Sequence, residues 1–195
     1  MARPRRDSGE TPAIDRLETA FWEMLAETPY KDLTITSLSR RAKVNHNTFY
    51  YYFGSLDDMA TEMIERNLVA ELPAQILANS QVTTEATQFI ADPDLQLRFQ
   101  RVCLLVGPHS ATWIVDKLEQ AVIGLWLQAF GIDRSDLSKD DELKIVFIFG
   151  GLLRVLGQYG TSDPTPFQGL TSSGLGAAAL ATLHEIVTKR GFTDG

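Results

Sequence analysis

The sequence contains one cysteine and three histidines, and no apolar run approaches the ~20 residues that a membrane-spanning helix requires. The single cysteine, Cys103, excludes an internal disulfide and is typical of a small core residue in a reduced protein. The basic N-terminus lacks the apolar stretch of a secretory signal. We therefore expect a cytoplasmic protein with no membrane partner.

Motifs that catalysis would need are also missing. His46, His109 and His184 are widely separated, and none belongs to a metal-binding spacing. Gly150 and Gly151 do not have dinucleotide-loop spacing, and there is neither a phosphate loop nor a Gly-x-Ser-x-Gly motif. We expect no enzyme activity and no catalytic residues, metal site or cofactor.

Charge is distributed unevenly along the chain, whose net charge is −7. Residues 1–56 contain 8 Lys or Arg and 7 Asp or Glu, a net charge of +1, whereas the other 139 residues contain 10 and 18, a net charge of −8. Such an asymmetry indicates different partners for the two parts. The acidity of the larger part suits its solubility.

Apolar residues recur at helical spacing, and no period-2 run is bounded by hairpin turns. The sequence therefore predicts an all-α fold. Cap residues such as Thr34, Asn45 and Ser55, and breakers such as Pro29 and Pro73, indicate where the first helices begin and end. The predicted helices cover about residues 11–28, 34–42, 45–53, 55–72, 74–90, 94–106, 111–130, 141–159 and 174–189.

Residues 33–59 are the most informative stretch. Two short capped helices separated by about three residues have the spacing of a helix-turn-helix. On the second of these helices, Phe49 and Phe53 lie one turn apart on one side. We expect these two rings to pack beneath Leu38 and Val44, which would leave the opposite side of the helix exposed.

That opposite side is polar without being charged. It carries Asn47, Tyr50 and Tyr51, with His46 and Thr48 on its flanks. Asparagine can make two hydrogen bonds to an adenine edge, and imidazole and hydroxyl groups can reach base edges or phosphates. Packing against a neighbouring helix is the alternative, but three successive tyrosines cannot all face one core at 3.6 residues per turn. We expect this side to contact DNA.

The stretch resembles the signature of the tetracycline-repressor (TetR) family of transcription regulators. In that signature a threonine-led helix is followed by an Ala-Gly-Val-Ser-like turn. Threonine, an apolar residue, tyrosine, a variable position, tyrosine or histidine, and phenylalanine then follow. The matching elements are Thr34, the turn at 42–45 and the segment 48–53, and the resemblance covers about residues 11–60.

Two positions depart from the family pattern. Lys43 stands where glycine is usual, so either this lysine tolerates the turn backbone or the turn differs slightly from the family's. Leu56 stands where the family often has a phosphate-binding lysine; backbone N–H groups at that helix start, or one of Arg40, Arg41 and Lys43, are the alternatives. The residues expected at the DNA are Thr34, Thr36, Arg40, Lys43, Asn45, His46, Asn47, Thr48, Tyr50 and Tyr51.

The N-terminal arm is a further basic segment, with Arg3, Arg5 and Arg6. It could enter a minor groove or lie along phosphates, and a flexible solubilising tail is the alternative.

The resemblance implies a helix-turn-helix three-helix DNA-binding domain over 1–54 and a helical effector-binding and dimerisation domain over 55–195. It implies a homodimer that binds a palindromic operator in double-stranded DNA, and a small-molecule effector that controls the operator affinity of this transcriptional regulator, with repression as the expected outcome. The alternative is a TetR-fold scaffold that acts through protein partners.

In this family the last two helices of each subunit form a four-helix interface, which matches about 141–159 and 174–189 here. Buried core is the competing interpretation of the apolar residues. The first segment carries Val146, Phe147, Gly150, Leu153 and Gly157 at helical spacing.

The family also encloses an effector pocket between its central helices. Arg154, within an apolar helix, could meet an anionic ligand or pair with Asp116 or Glu119. Aromatic residues at helical spacing are also typical of plain core. The pocket candidates are Phe99, Cys103, Trp113, Trp126, Phe130, Phe147, Arg154 and Tyr159.

Overall fold

The computed structural model describes residues 11–78, 92–159 and 173–189. All regular secondary structure in these ranges is helical, which confirms the predicted all-α fold. No helix of these ranges is long and apolar enough to cross a lipid bilayer. The helices are α1 (Ala13–Glu27), a 3-10 turn (Tyr30–Asp32), α2 (Ile35–Arg41), α3 (His46–Tyr52), α4 (Leu56–Asn67), α5 (Leu72–Ala78), α6 (Pro93–Val106), α7 (Thr112–Ala129), a second 3-10 turn (Arg134–Asp136), α8 (Lys139–Tyr159) and α9 (Gly174–Thr188).

Side-chain caps begin the short helices at the residues that the sequence indicates. Thr34 accepts a hydrogen bond from the backbone N–H of Ser37 at 3.1 Å, and the Ser37 hydroxyl accepts one from the backbone N–H of Thr34. Asn45 caps α3 at 2.9 Å and Ser55 caps α4 at 3.0 Å. A cap of this kind contributes about 1 kcal/mol, so these side chains fix the starts of helices too short to be stable alone.

Helix α4 is shorter than predicted. The sequence predicts a helix over 55–72, but α4 ends at Asn67 and α5 begins at Leu72. The cause is a long-range contact with α6. The Arg98 guanidinium donates to the carbonyl of Arg66 at 2.7 Å, and the Asn67 amide donates to the carbonyl of Arg98 at 2.8 Å. The first bond satisfies a carbonyl in the last turn of α4, and the second ties Asn67 to α6, so the chain can leave the helix there.

The later helices lie close to their predicted bounds. The predicted segment 141–159 begins two residues earlier, at Lys139, and Ser138 accepts a hydrogen bond from the backbone N–H of Asp141 at 3.1 Å. The predicted helix over 74–90 lies partly outside the described residues, which include it only to residue 78.

One hydrophobic core joins the N-terminal helices to the rest of the chain. Phe21 and Phe49 are fully buried in the same cluster as Cys103 and Leu118. A second cluster, centred on Trp126, packs α7 against α8 and α9. Helix α1 packs on α6, and α4 packs on α6 and α7, so the N-terminal helices and the larger part share this core.

Helices α6 and α8 approach each other most closely at Gly157. A Cβ atom at this position would lie 2.1 Å from the carbonyl oxygen of Val106, so only glycine fits. Leu153 is also inside the chain, at 3 % exposed. Of the two interpretations of these residues, buried core therefore applies to Gly157 and Leu153, because both serve the packing of α8 on its own chain.

Candidate nucleic-acid interface

Helix α3 is anchored by its phenylalanines. Phe49 is 0 % and Phe53 is 3 % exposed, and their ring centroids lie 5.5 Å apart. Leu38 of α2 is fully buried in the same cluster, with Val44 packed against it. The predicted inner side of α3 is confirmed, and it packs α3 against α1 and α2.

The turn between α2 and α3 contains a residue whose backbone conformation is the one that glycine usually adopts. Lys43 has φ of 54°, in the left-handed region. Its N–H donates to the carbonyl of Arg40 at 3.2 Å, and the N–H of Val44 donates to Ser39 at 3.0 Å. A residue with a Cβ atom is strained there by about 1 kcal/mol. The lysine does tolerate the turn, and its exposed side chain places a cation between the two helices.

The outer side of α3 is open to solvent. Tyr50 is 52 % and Tyr51 is 81 % exposed, and His46 and Asn47 are exposed as well. The imidazole of His46 meets the ring of Tyr50 edge-on at 5.2 Å between centroids. Tyr52 is 36 % exposed, at the border of the buried side. The structure thus brings an amide, an imidazole and two phenols onto one accessible surface.

Two other residues expected at the DNA cap the helices of this region. The side-chain oxygens of Thr34 and Asn45 are used in the caps of α2 and α3. The side-chain N–H groups of Asn45 can still donate hydrogen bonds to another acceptor. Thr36 is exposed in the first turn of α2, and Thr48 is half-buried beside Phe49.

The three basic residues of this region differ in their availability. Arg41 lies across α1, where it donates to Glu27 at 2.6 Å and to Glu23 at 3.2 Å. These bonds raise the pKa of Arg41, and hydrogen bonding to Arg41 lowers the pKa of Glu27. Arg40 and Lys43 are exposed, and they carry the positive charge that remains beside α3.

The start of α4 is acidic. Asp57 and Asp58 lie in its first turn, and the N–H of Asp58 is already bonded to Ser55 at 3.0 Å. Two carboxylates oppose the approach of a phosphate, even though a helix N-terminus would otherwise favour one. This weighs against the expectation that backbone N–H groups here replace the missing lysine at Leu56.

Five of the expected pocket residues belong to two separate clusters. Cys103 is buried in the first, where Phe99 and Trp113 pack against it, whereas Trp126 and Phe130 belong to the second. Burial raises the pKa of the Cys103 thiol to about 11, so the thiol stays protonated in the core. Phe149 was not predicted to belong here, although its ring lies 5.7 Å from that of Trp126. Its position one turn from Ile145 is the only sequence signal for it.

Two other pocket candidates point outward. Phe147 is 77 % exposed, and Arg154 is also exposed. The expectation that they line an interior pocket of the chain is wrong, because α8 buries the side that carries Ile145 and Phe149. The side chain of Tyr159 lies outside the described residues.

Helices α8 and α9 expose an apolar surface. Leu143 is 70 % and Phe147 is 77 % exposed on α8, and Leu175 is 65 % exposed on α9. Val146 is 38 % exposed beside them. We call Leu143, Val146 and Phe147, which lie within about one turn of α8, the apolar face. Leu175 lies toward the other end of α8, because α9 runs antiparallel to it and brings Lys189 to Asp141. Exposed large apolar side chains that cluster in this way commonly mark an interaction site.

The capped α2 and α3, the left-handed turn between them and the exposed polar side of α3 define a helix-turn-helix protein that binds DNA. Residues 19–63 match the family model of the bacterial regulatory proteins of the tetR family. This match, over 45 of the 195 residues, supports a DNA-binding transcriptional regulator of the TetR family. No curated protein and no solved structure matches it.

Proposed function

We propose that the chain is a repressor that binds a palindromic operator as a homodimer and whose operator affinity is controlled by a small-molecule effector. The observation that carries the proposal is the division of α3, where Phe49 is fully buried and Tyr51 is 81 % exposed. A helix held in this way can enter a major groove without loss of its packing.

The roles on α3 follow from side-chain chemistry. Asn47 has the donor and acceptor pair that matches an adenine edge. Tyr50 and Tyr51 have hydroxyls suited to phosphate oxygens, and Arg40 and Lys43 supply the charge. Asparagine then determines sequence preference, and the other four side chains determine affinity and register.

Dimerisation is assigned to the apolar face. One α3 contacts too few base pairs to select a site, so two must act on half-sites about 34–36 Å apart. A second copy is the occupant that explains why Leu143, Val146 and Phe147 are exposed, since a symmetric contact buries the same residues of both copies. The family resemblance supports an interface formed by these two helices.

The larger part of the chain is assigned to the effector. We propose that residues 1–54 bind DNA and that residues 55–195 bind the effector and form the dimer, in a cytoplasmic protein. One hydrophobic core is continuous across the boundary between these two parts. Phe99 and Trp113 are half-buried and pack against the cluster that contains Cys103 and, from α4, Met59 and Met63. Trp126 and Phe130 are the candidates farther along α7. An effector acts by preferring one spacing of the two α3 helices.

Selection from a pool of random duplexes tests the proposal. The wild type should enrich a palindrome. Asn47→Ala should relax the preference at one base position of each half-site, whereas Tyr50→Ala should weaken binding to all duplexes. Gln128→Ala, on the exposed side of α7, is the control and should select the same palindrome as the wild type. Failure to enrich any sequence would favour a scaffold with protein partners instead.

A further inference from the structure

Tyr30, in the first 3-10 turn, connects three distant segments. Its hydroxyl donates to Oδ1 of Asp57, in the first turn of α4, at 2.6 Å. Its backbone N–H donates to the carbonyl of His109, between α6 and α7, at 2.7 Å. Its ring meets Trp113 of α7 edge-on, with centroids 5.7 Å apart. Tyr30 is only 7 % exposed, so these contacts fix its side chain.

The same turn of chain between α6 and α7 is tied to α1. Nδ1 of His109 lies 3.1 Å from the carbonyl oxygen of Leu25, in the last turn of α1. Because a carbonyl only accepts, the hydrogen must be on Nδ1. Carbonyls in the last turn of a helix have no partner within it, so this imidazole satisfies an otherwise open group. The turn over 107–111 therefore both donates to and accepts from the N-terminal helices.

The hydroxyl of Tyr30 is a stable hydrogen-bond donor. Burial and the hydrogen bond to Asp57 both raise the pKa of Tyr30 far above its ordinary value, so the hydroxyl keeps its hydrogen at any physiological pH. Hydrophobic packing alone does not require this group, since phenylalanine would fill the same space. The role of the hydroxyl therefore lies in its hydrogen bond to Asp57.

Asp57 lies only a few residues after α3, the helix proposed to contact DNA. Helix α3 ends at Tyr52 and α4 begins at Leu56, so a bond to Asp57 fixes the chain where it leaves α3. We propose that Tyr30 is a positioning residue that sets the angle of α3 by fastening the start of α4 to the turn between α6 and α7. This role rests on the proposed function.

Half-site spacing provides the test, because a one-base-pair change rotates one half-site by about 35° relative to the other. Duplexes would carry the selected palindrome at its best spacing, one base pair shorter and one longer. The wild type should prefer the best spacing by about tenfold or more. Tyr30→Phe should reduce that preference to less than about threefold, because α3 then samples more than one angle.

Two further variants separate positioning from general weakening. Asp57→Ala removes the same bond and leaves the Tyr30 ring in place, so it should also flatten the spacing preference, and the double variant should add little more. Asp58→Ala removes an equal charge one residue away and should keep the wild-type preference. Asp57→Ala also tests the contact if Tyr30→Phe fails to fold.

The outcomes distinguish the two proposals. If the wild type selects a palindrome but folded Tyr30→Phe and Asp57→Ala keep its spacing preference, the positioning role is overturned and the regulator remains. If the wild type selects no palindrome, the proposed function fails, and this role fails with it.

Discussion

Two helices of this protein expose an aromatic ring and bury a phenylalanine on the other side. On α3, Tyr51 is 81 % exposed and Phe49 is 0 % exposed; on α8, Phe147 is 77 % exposed and Phe149 is 4 % exposed. The rings differ in their polarity and in their neighbours. Tyr51 lies among an amide, an imidazole and hydroxyls, whereas Phe147 lies among leucine and valine. Exposure of a ring therefore indicates a contact surface, and the chemistry around it indicates the kind of partner.

The largest effect is expected on the apolar face. Phe147→Glu would place a charge in each copy of a symmetric contact and should weaken self-association by about 100-fold or more. Sedimentation equilibrium measures this. Gln128→Glu, which adds the same charge on α7, should associate as the wild type does. If both variants associate equally strongly, the interface does not lie on this surface of α8.

Close packing of α8 should give the next largest effect. Gly157→Ala puts a methyl group against the Val106 carbonyl and should lower the free energy of unfolding by about 2 kcal/mol. Gly124, on α7, has no atom within 4 Å of an added Cβ. Gly124→Ala should therefore raise stability by about 0.5–1 kcal/mol through helix propensity. Urea denaturation compares the two, and a loss of the same size in both would show that Gly157 is not a special position.

Lys43 should show opposite effects on stability and on DNA binding. Lys43→Gly relieves the left-handed backbone and should raise the free energy of unfolding by about 0.5–1 kcal/mol. It also removes a cation from the DNA side, so the slope of log affinity against log salt should become shallower by about one unit. Arg40→Gln should change the slope without the gain in stability. A slope unchanged by Lys43→Gly would show that this lysine does not meet phosphate.

The smallest effect is expected at Arg41, because its ion pairs are on the surface. Arg41→Gln should leave the salt slope of DNA binding unchanged and slightly lower the melting temperature at neutral pH. Arg41 holds the pKa of Glu27 below 4.5, so the pair stabilises the fold above pH 4.5 and this stabilisation is lost as the pH falls through the lowered value. The difference from the wild type should therefore disappear in acid, and its persistence there would refute the assignment.

Local signals were sufficient to predict the fold and the orientation of α3. Caps, breakers and the spacing of Phe49 and Phe53 all act within one or two helical turns, so the sequence reveals them directly. The end of α4 and the bond from Tyr30 to Asp57 depend on residues far apart in the chain, and no period or cap reports them. Phe147 was misplaced for a related reason, since α8 is apolar on several sides and periodicity does not say which side is inside.

Photocrosslinking is the most direct test of the claim that the outer side of α3 meets DNA. Protein carrying a benzophenone side chain at Tyr51 or at Phe147 would be irradiated with the selected palindrome. We expect DNA adducts from position 51 and protein–protein adducts from position 147. DNA adducts from position 147, with none from position 51, would contradict the account.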